Sequence, residues 1–174
     1  WMNNLGLTLR AIEPKDIDFL FAIENDVRLW HVSNTIVPFS RQLLEEYIAQ
    51  AHQDIFTVKQ QRFVLTNTSN AALGLIDLYA FEPFHRRAGV GLVIEDTHRG
   101  KGYGKIALAL VEEFAFSRLQ LHQLYAGVSE DHKESIALFE GSGYQRTAVK
   151  LDWNYYNNTY HNEVVFQKIA HVST

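Results

Sequence analysis

The chain has no cysteine, which removes disulfides, thiolate nucleophiles, cysteine-ligated zinc and a cysteine-bound acyl-enzyme together. Proline is scarce, with three in 174 residues, while 47% of the residues are hydrophobic and 13% aromatic, so the composition is that of a packed globular chain rather than a disordered one. An excess of one charge is lacking too: a net charge of −4 gives no electrostatic basis for holding nucleic acid or an anionic membrane surface. No apolar run approaches the ~18 residues of a membrane span, and no basic stretch followed by an apolar one opens the chain, so a cytoplasmic location is expected. The eight histidines show neither H-x-x-x-H nor H-E-x-x-H spacing, and no metal site is expected. Asn67-Thr-Ser69 and Asn157-Asn-Thr159 have the form of glycosylation sequons but read as turn residues. The length suits a single domain, 2–170, without linker or repeat, with Trp1 left outside it.

What is present is a glycine-rich stretch around which the rest is organised. An apolar run from Val90 to Ile94 reads as a strand. It meets a loop holding Gly100, Gly102 and Gly104, after which Ala107, Leu110, Val111 and Phe114 recur at helical spacing. Glycines at these positions let the backbone reach positive φ and keep side chains away from the amides, and the first N–H groups of a helix lack internal partners. Such a loop suits a phosphate. Two common phosphate loops are excluded, since the spacing is neither G-x-x-x-x-G-K-S/T nor G-x-G-x-x-G.

Elsewhere, Leu5 to Ala11 alternates as a first strand, and Glu13-Pro14 opens a helix with Ile17, Leu20, Phe21 and Glu24 on one face. Residues 26–39 read as irregular, and Ser40 caps a second helix through Leu43, Leu44, Tyr47, Ile48 and Ala51. Two helices are thus expected before the main sheet. Phe63 to Thr66 and Ala72 to Tyr79 form a hairpin about Asn67 to Asn70, and a strand runs from Gly89 to Ile94. The long helix spans about Gly104 to Leu119, followed by a strand from Gln123 to Ser129. Asp131 to Glu134 has capping-box form for a helix to Glu140 that Gly141 and Gly143 stop. Tyr144 to Trp153 and Glu163 to Ile169 are the last strands, joined through the Asn-rich segment from Asn154 to Asn162.

Arg99-x-x-Gly102-x-Gly104, in the setting of strand, loop and amphipathic helix, resembles the acyl-coenzyme A loop of the GNAT N-acetyltransferases, Arg/Gln-x-x-Gly-x-Gly/Ala. The resemblance covers nearly the whole chain and implies a mixed α/β fold, a strongly twisted sheet with helices on both faces. Leu9-Arg-Ala11 with Asp16, His85-Arg-Arg-Ala88, Glu113-Phe-Ala-Phe116 and Tyr160-His-Asn-Glu163 are similar to phrases of the ribosomal-protein N-terminal and spermidine acetyltransferases. It further implies that acetyl-coenzyme A lies where the loop-bearing strand splays from the next. Main-chain groups of Leu92, Val93 and Ile94 would pair with the pantetheine, and the amides of Arg99, Gly100, Lys101, Gly102, Tyr103 and Gly104 would hold the pyrophosphate. The implied acceptor is a primary amine, of a small molecule or a peptide, and the resemblance leaves a homodimer open.

The chain departs from the family pattern at three positions. Phe139 stands where many relatives have a tyrosine general acid, His132 where a cofactor-contacting asparagine often begins the helix, and Gly89 where these branches often have a glutamate. A free alkyl amine has a pKa of about 10 and must lose a proton to attack, so a base or water chain is needed. The replacements weighed are Asp77, which shares a strand face with Leu75 and Tyr79 and points at acceptor or solvent; His85, beside the loop-bearing strand; and Tyr144, with Ser129 and Tyr125 behind it. Residues 30–39 carry no acid, so a polyamine would need carboxylates such as Asp77, Glu82 or Asp152. The rings of Trp30, Phe39, Phe81, Phe84, Trp153, Tyr155 and Tyr156 instead suggest a groove for a peptide N-terminus or another amphipathic amine. Two functions follow: an acetyl-coenzyme A-dependent N-acetyltransferase, or a coenzyme A-binding module that has lost catalysis.

Overall fold

The computed structural model describes residues 2–170, and Trp1 lies outside them. The chain opens with a hairpin, not a single strand: β1 (Met2–Asn4) turns through Leu5 and Gly6, both at positive φ, into β2 (Leu7–Ala11). A 3-10 turn, Pro14–Asp16, leads into α1 (Ile17–Glu24). The segment read as irregular contains a single helical turn, α2 (Trp30–Ser33), and α3 (Arg41–Gln50) follows. Ser40 caps α3 as expected, its hydroxyl accepting from the Leu43 amide at 3.1 Å. A further short helix, α4 (Ile55–Val58), is capped by Asp54, so four helical segments precede the main strands where two were expected. Four-residue helices carry too little periodicity to be read from sequence.

The sheet continues with β3 (Gln61–Thr66), β4 (Ala72–Glu82) and β5 (Arg87–Ile94). Next come α5 (Tyr103–Glu113), extended by a π-helical turn to Arg118, and β6 (Gln123–Ser129). The chain then runs through α6 (Lys133–Gly141), β7 (Gln145–Tyr156) and β8 (Thr159–Ile169). The Asn-rich segment is mostly strand: the connection is only Asn157 and Asn158, both at positive φ, as a two-residue hairpin of primed type requires. Among the described residues, eight strands lie in the order β1-β2-β3-β4-β5-β6-β8-β7, and β5 pairs with β6 in parallel.

Alternation along these strands feeds two cores. One face, with Leu9, Phe63, Ile76, Leu78, Val90, Leu124 and Phe166, packs against Leu108 and Val111 of α5. The other, with Val64 and Leu75, packs against Leu20 of α1 and Leu44 and Ile48 of α3. Helices therefore cover both faces, as expected, and the acid Asp16 is tied beneath them. It is 4% exposed and accepts from both Arg10 guanidinium nitrogens at 2.7 and 2.8 Å and from the Glu13 amide at 2.8 Å.

Candidate active site

The parallel strands β5 and β6 pair only at Arg87↔Gln123, Ala88↔Leu124 and Gly89↔Tyr125. Beyond Gly89 they part. On its outer side β5 stays laddered to β4 as far as Gly74↔Ile94, and β6 stays laddered to β8 as far as Ser129↔Glu163. The inner edges facing the opening are left out of any ladder, and Leu92, Val93 and Ile94 lie along one of them. An amide-bearing chain can add hydrogen bonds there as a further strand would.

From the end of β5 the chain passes a 3-10 turn, Asp96–His98, and enters α5 through Arg99 to Gly102. Gly100 and Gly102 have φ of +74° and +78°, a region costing other residues roughly 1–2 kcal/mol. A Cβ built on either would meet nothing within 4 Å. Conformation thus requires the glycines, and the empty volume leaves the amides at the start of α5 open to an anion. Gly104 differs: it is helical, and a Cβ there would lie 3.4 Å from Leu138 of α6 and 3.5 Å from Leu92 of β5, ordinary van der Waals contact that leaves room for an alanine. Arg99 is engaged within the loop, its Nε donating to the Ile94 carbonyl at 3.0 Å and its Nη1 lying 3.0 Å from Asp96. Lys101 is exposed and Tyr103 half-buried. His132 is half-buried at the N-terminus of α6; burial lowers its pKa, opposed by Glu134 and reinforced by His31 and Arg99.

On the face of the sheet opposite α5, a neighbour's side chain covers position 89. A Cβ on Gly89 would fall 2.3 Å from Tyr79 Cε2 and 2.4 Å from its Cζ, so the Tyr79 ring lies across this position. A bulge between Tyr79 and Glu82, with Ala80 at φ 46°, sets the end of β4 at that angle. Tyr125 packs edge-on to the ring at 6.2 Å. Burial, then Tyr125, Glu163 and Asp77, push the Tyr79 phenol up to about 12, so it is a hydrogen-bond donor at neutral pH. Across β6, a Cβ on Gly127 would come 2.6 Å from the carboxyl carbon of Glu163.

The expected catalytic residues are not brought together. Asp77 does share this face, but Arg62 takes both of its oxygens at 2.7 and 2.8 Å and also binds Glu24 at 2.6 Å. It is half of an ion-pair network rather than a free base. His85 is exposed in the turn between β4 and β5, against Phe84, at the end of β5 remote from the glycine loop. Tyr144 belongs to the core beneath α5, 4% exposed, and burial beside Glu112 raises its pKa far beyond the ordinary value. Neither His85 nor Tyr144 reaches the opening. Phe139 is 4% exposed, edge-on to Tyr144 at 5.0 Å and stacked on Phe166 at 5.7 Å, so it serves the core.

Asp131 does not cap α6, whose N-cap His132 makes no side-chain cap bond. Instead its carboxylate accepts from Ser129 Oγ at 2.7 Å and from the Tyr156 hydroxyl, and lies 3.2 Å from His161 Nδ1. Burial alone would raise the Asp131 carboxyl, but the bonds from Tyr156 and Ser129 and the nearby His161 hold it below the ordinary value. Tyr156 stacks on His161 at 3.6 Å and meets His31 of α2 at 5.0 Å, so this cluster ties the β7–β8 hairpin to α2. Tyr79 and Glu163 escaped sequence reasoning as site residues because strand pairing brings them in from β4 and β8. The one available signal was the pair of glycines at 89 and 127, which leave room for a neighbour's side chain.

Two parted parallel strands, with an open-amide glycine turn at the mouth of a helix, define a site for an acyl-coenzyme A donor. The groups present fit such a donor: empty volume above Gly100 and Gly102 for its pyrophosphate, and free strand edges for its pantetheine amides. The chain belongs to the GNAT acetyltransferases, the acetyltransferase (GNAT) domain pattern matching residues 6–145. It is therefore an acetyl-coenzyme A-dependent N-acetyltransferase by family. The chain is 25% identical over 159 residues to a spermidine N(1)-acetyltransferase of Vibrio cholerae, covering 90% of this chain and 89% of that protein. A spermidine N(1)-acetyltransferase of Escherichia coli is 24% identical over 164 residues, covering 91% and 83%. In fold it matches the crystal structure of the Vibrio cholerae spermidine N-acetyltransferase in complex with CoA and spermine, with a TM-score of 0.87 and 24% identity over 95% of this chain and 96% of that one.

Proposed function

We propose that the protein transfers the acetyl group of acetyl-coenzyme A to a primary amine of a small polycation of the polyamine class. The observation that carries this reading is the floor of the opening, where Gly89 and Gly127 are overlain by the Tyr79 phenol and the Glu163 carboxylate instead of by apolar side chains. The acceptor arrives as an ammonium of pKa about 10, and a carboxylate at the opening both attracts it and tolerates the proton it must lose. The bond formed is N–C, the bond broken is C–S, and bound acetyl-coenzyme A supplies the thioester. The spermidine acetyltransferases among the relatives support the substrate class.

The aromatic residues that suggested a peptide groove are dispersed. Phe81 is buried in the core, Phe39 packs with α1 and α3, Phe84 caps a remote turn, and Trp153 and Tyr155 lie exposed on β7. This favours a small amine over a protein N-terminus. Thiol release from acetyl-coenzyme A, measured in parallel with spermidine, a monoamine and an N-terminal peptide, tests the choice. Spermidine should give the highest kcat/KM, and preference for the peptide would overturn it.

Self-association is the second part of the proposal. β7 is the terminal strand of the sheet and leaves Val149, Leu151, Trp153 and Tyr155 exposed on its length. A second copy of this chain is the occupant we infer, since an unpaired edge with apolar side chains invites pairing with its like. A spermidine N-acetyltransferase of Vibrio cholerae is described as dodecameric. Light scattering should give a mass above the monomer that Leu151→Lys lowers; a monomer at all concentrations would refute it.

A further inference from the structure

Glu163 sits at the opening in the company of an ammonium. Its side chain is 12% exposed, and the carboxyl lies against the Cα of Gly127, two residues past the last β6 position paired with β5. The Lys150 ammonium stands 3.0 Å from Oε1 and 4.4 Å from the centroid of the Trp153 ring. Carboxylate, alkylammonium and aromatic ring together are the elements of an amine-binding site, occupied here by the chain's own primary amine.

The two acids at the opening differ in how replaceable their partners are. Asp77 is held by Arg62, whose planar fork meets both oxygens and is fixed further by Glu24 and by the Tyr47 ring at 5.5 Å. No ammonium matches that geometry. Glu163 is held by one flexible point charge on an edge strand, and the Lys150 side chain is 42% exposed, with a bulge in β7 directly after it. Exchange of one ammonium for another conserves charge at the carboxylate and lets Lys150 swing into water.

We propose that Glu163 is the anchor for the acceptor's ammonium group and that Lys150 stands in for that group when no acceptor is bound. This rests on the amine-acceptor reading above, and it implies that the internal lysine competes with the substrate. The ligand class is a primary alkylammonium, with further positive charges accommodated but not required.

Calorimetric titration of spermidine into the coenzyme A complex tests the assignment independently of turnover. Glu163→Gln, close to isosteric, should weaken spermidine binding about tenfold or more through loss of a charge-assisted contact. Lys150→Met should tighten it about threefold or more by removing the competitor. Coenzyme A affinity should be the same in wild type and both variants. Unchanged spermidine affinity in the two variants overturns the assignment, as does a wild-type complex that binds no amine. Spermidine binding that depends on Glu163 without any thiol release would instead overturn the acetyl-transfer reading and leave the anchor standing.

Discussion

Replacing Gly102 by tryptophan separates the cost of backbone conformation from the cost of blocking the donor site. Gly102 is the N-cap of α5 at φ +78°, and the space above it is empty to 4 Å. In the free protein the added Cβ meets no atom, so the main expense there is the left-handed conformation, roughly 1–2 kcal/mol. For a chain of this length that lowers Tm by about 2–8 °C. In the complex an indole would stand where the phosphate oxygens meet the amides. Losing two amide hydrogen bonds to a charged group removes about 3–6 kcal/mol, more than a hundredfold in affinity. Paired thermal melting and coenzyme A calorimetry read both terms. Gly141→Trp is the control: Gly141 also faces open space, at the end of α6 away from the opening, and its substitution should leave coenzyme A affinity alone. Coenzyme A binding by the Gly102 variant within about threefold of wild type would refute the placement of the donor.

Other consequences are narrower. Gly89→Ala drives a Cβ into the Tyr79 ring and should cost about 1–3 kcal/mol, relieved when combined with Tyr79→Ala; additive losses in denaturant melts would mean that the two do not touch. Phe139→Tyr should leave kcat within about threefold, because a thiolate of pKa about 8.5 leaves with little help from an acid. A tenfold gain would restore protonation as the limiting step. Asp16→Asn should cost about 1–3 kcal/mol by removing the charge that the half-buried Arg10 grips with two nitrogens, read by chemical denaturation. Burial tends to raise the Asp16 pKa, but the Arg10 and Glu13 hydrogen bonds outweigh it and leave it lowered. Its contribution is therefore present above the ordinary carboxylate pKa and lost as pH falls through the folded-state value. Acid unfolding of the variant should be correspondingly less steep, and an unchanged acid transition would contradict this.

Local chemistry made part of this fold legible in sequence. Ser40 before an apolar period placed α3, alternation bounded β6 at Gln123 and Ser129, and the spacing of Gly100, Gly102 and Gly104 pointed to the open-amide turn. The misjudged elements are those in which a local pattern competes with a distant partner. Asp131 has capping-box spacing to Glu134, yet Ser129, Tyr156 and His161 claim its carboxylate. Leu5 continues an apolar alternation but occupies a positive-φ turn, because β1 returns along β2. The acceptor side was the least legible. Tyr79 and Glu163 lie far apart in the chain, and their importance follows from glycines on other strands that give them room.

The central claim, acetyl transfer to a polyamine-class amine at the opening between β5 and β6, is tested most directly by following one incubation with acetyl-coenzyme A and spermidine from both ends. Free thiol and acetylated amine, read by absorbance and mass spectrometry, should appear in equal amounts and saturate with spermidine. Thiol release at background with spermidine and every other amine offered, while coenzyme A still binds, would contradict it.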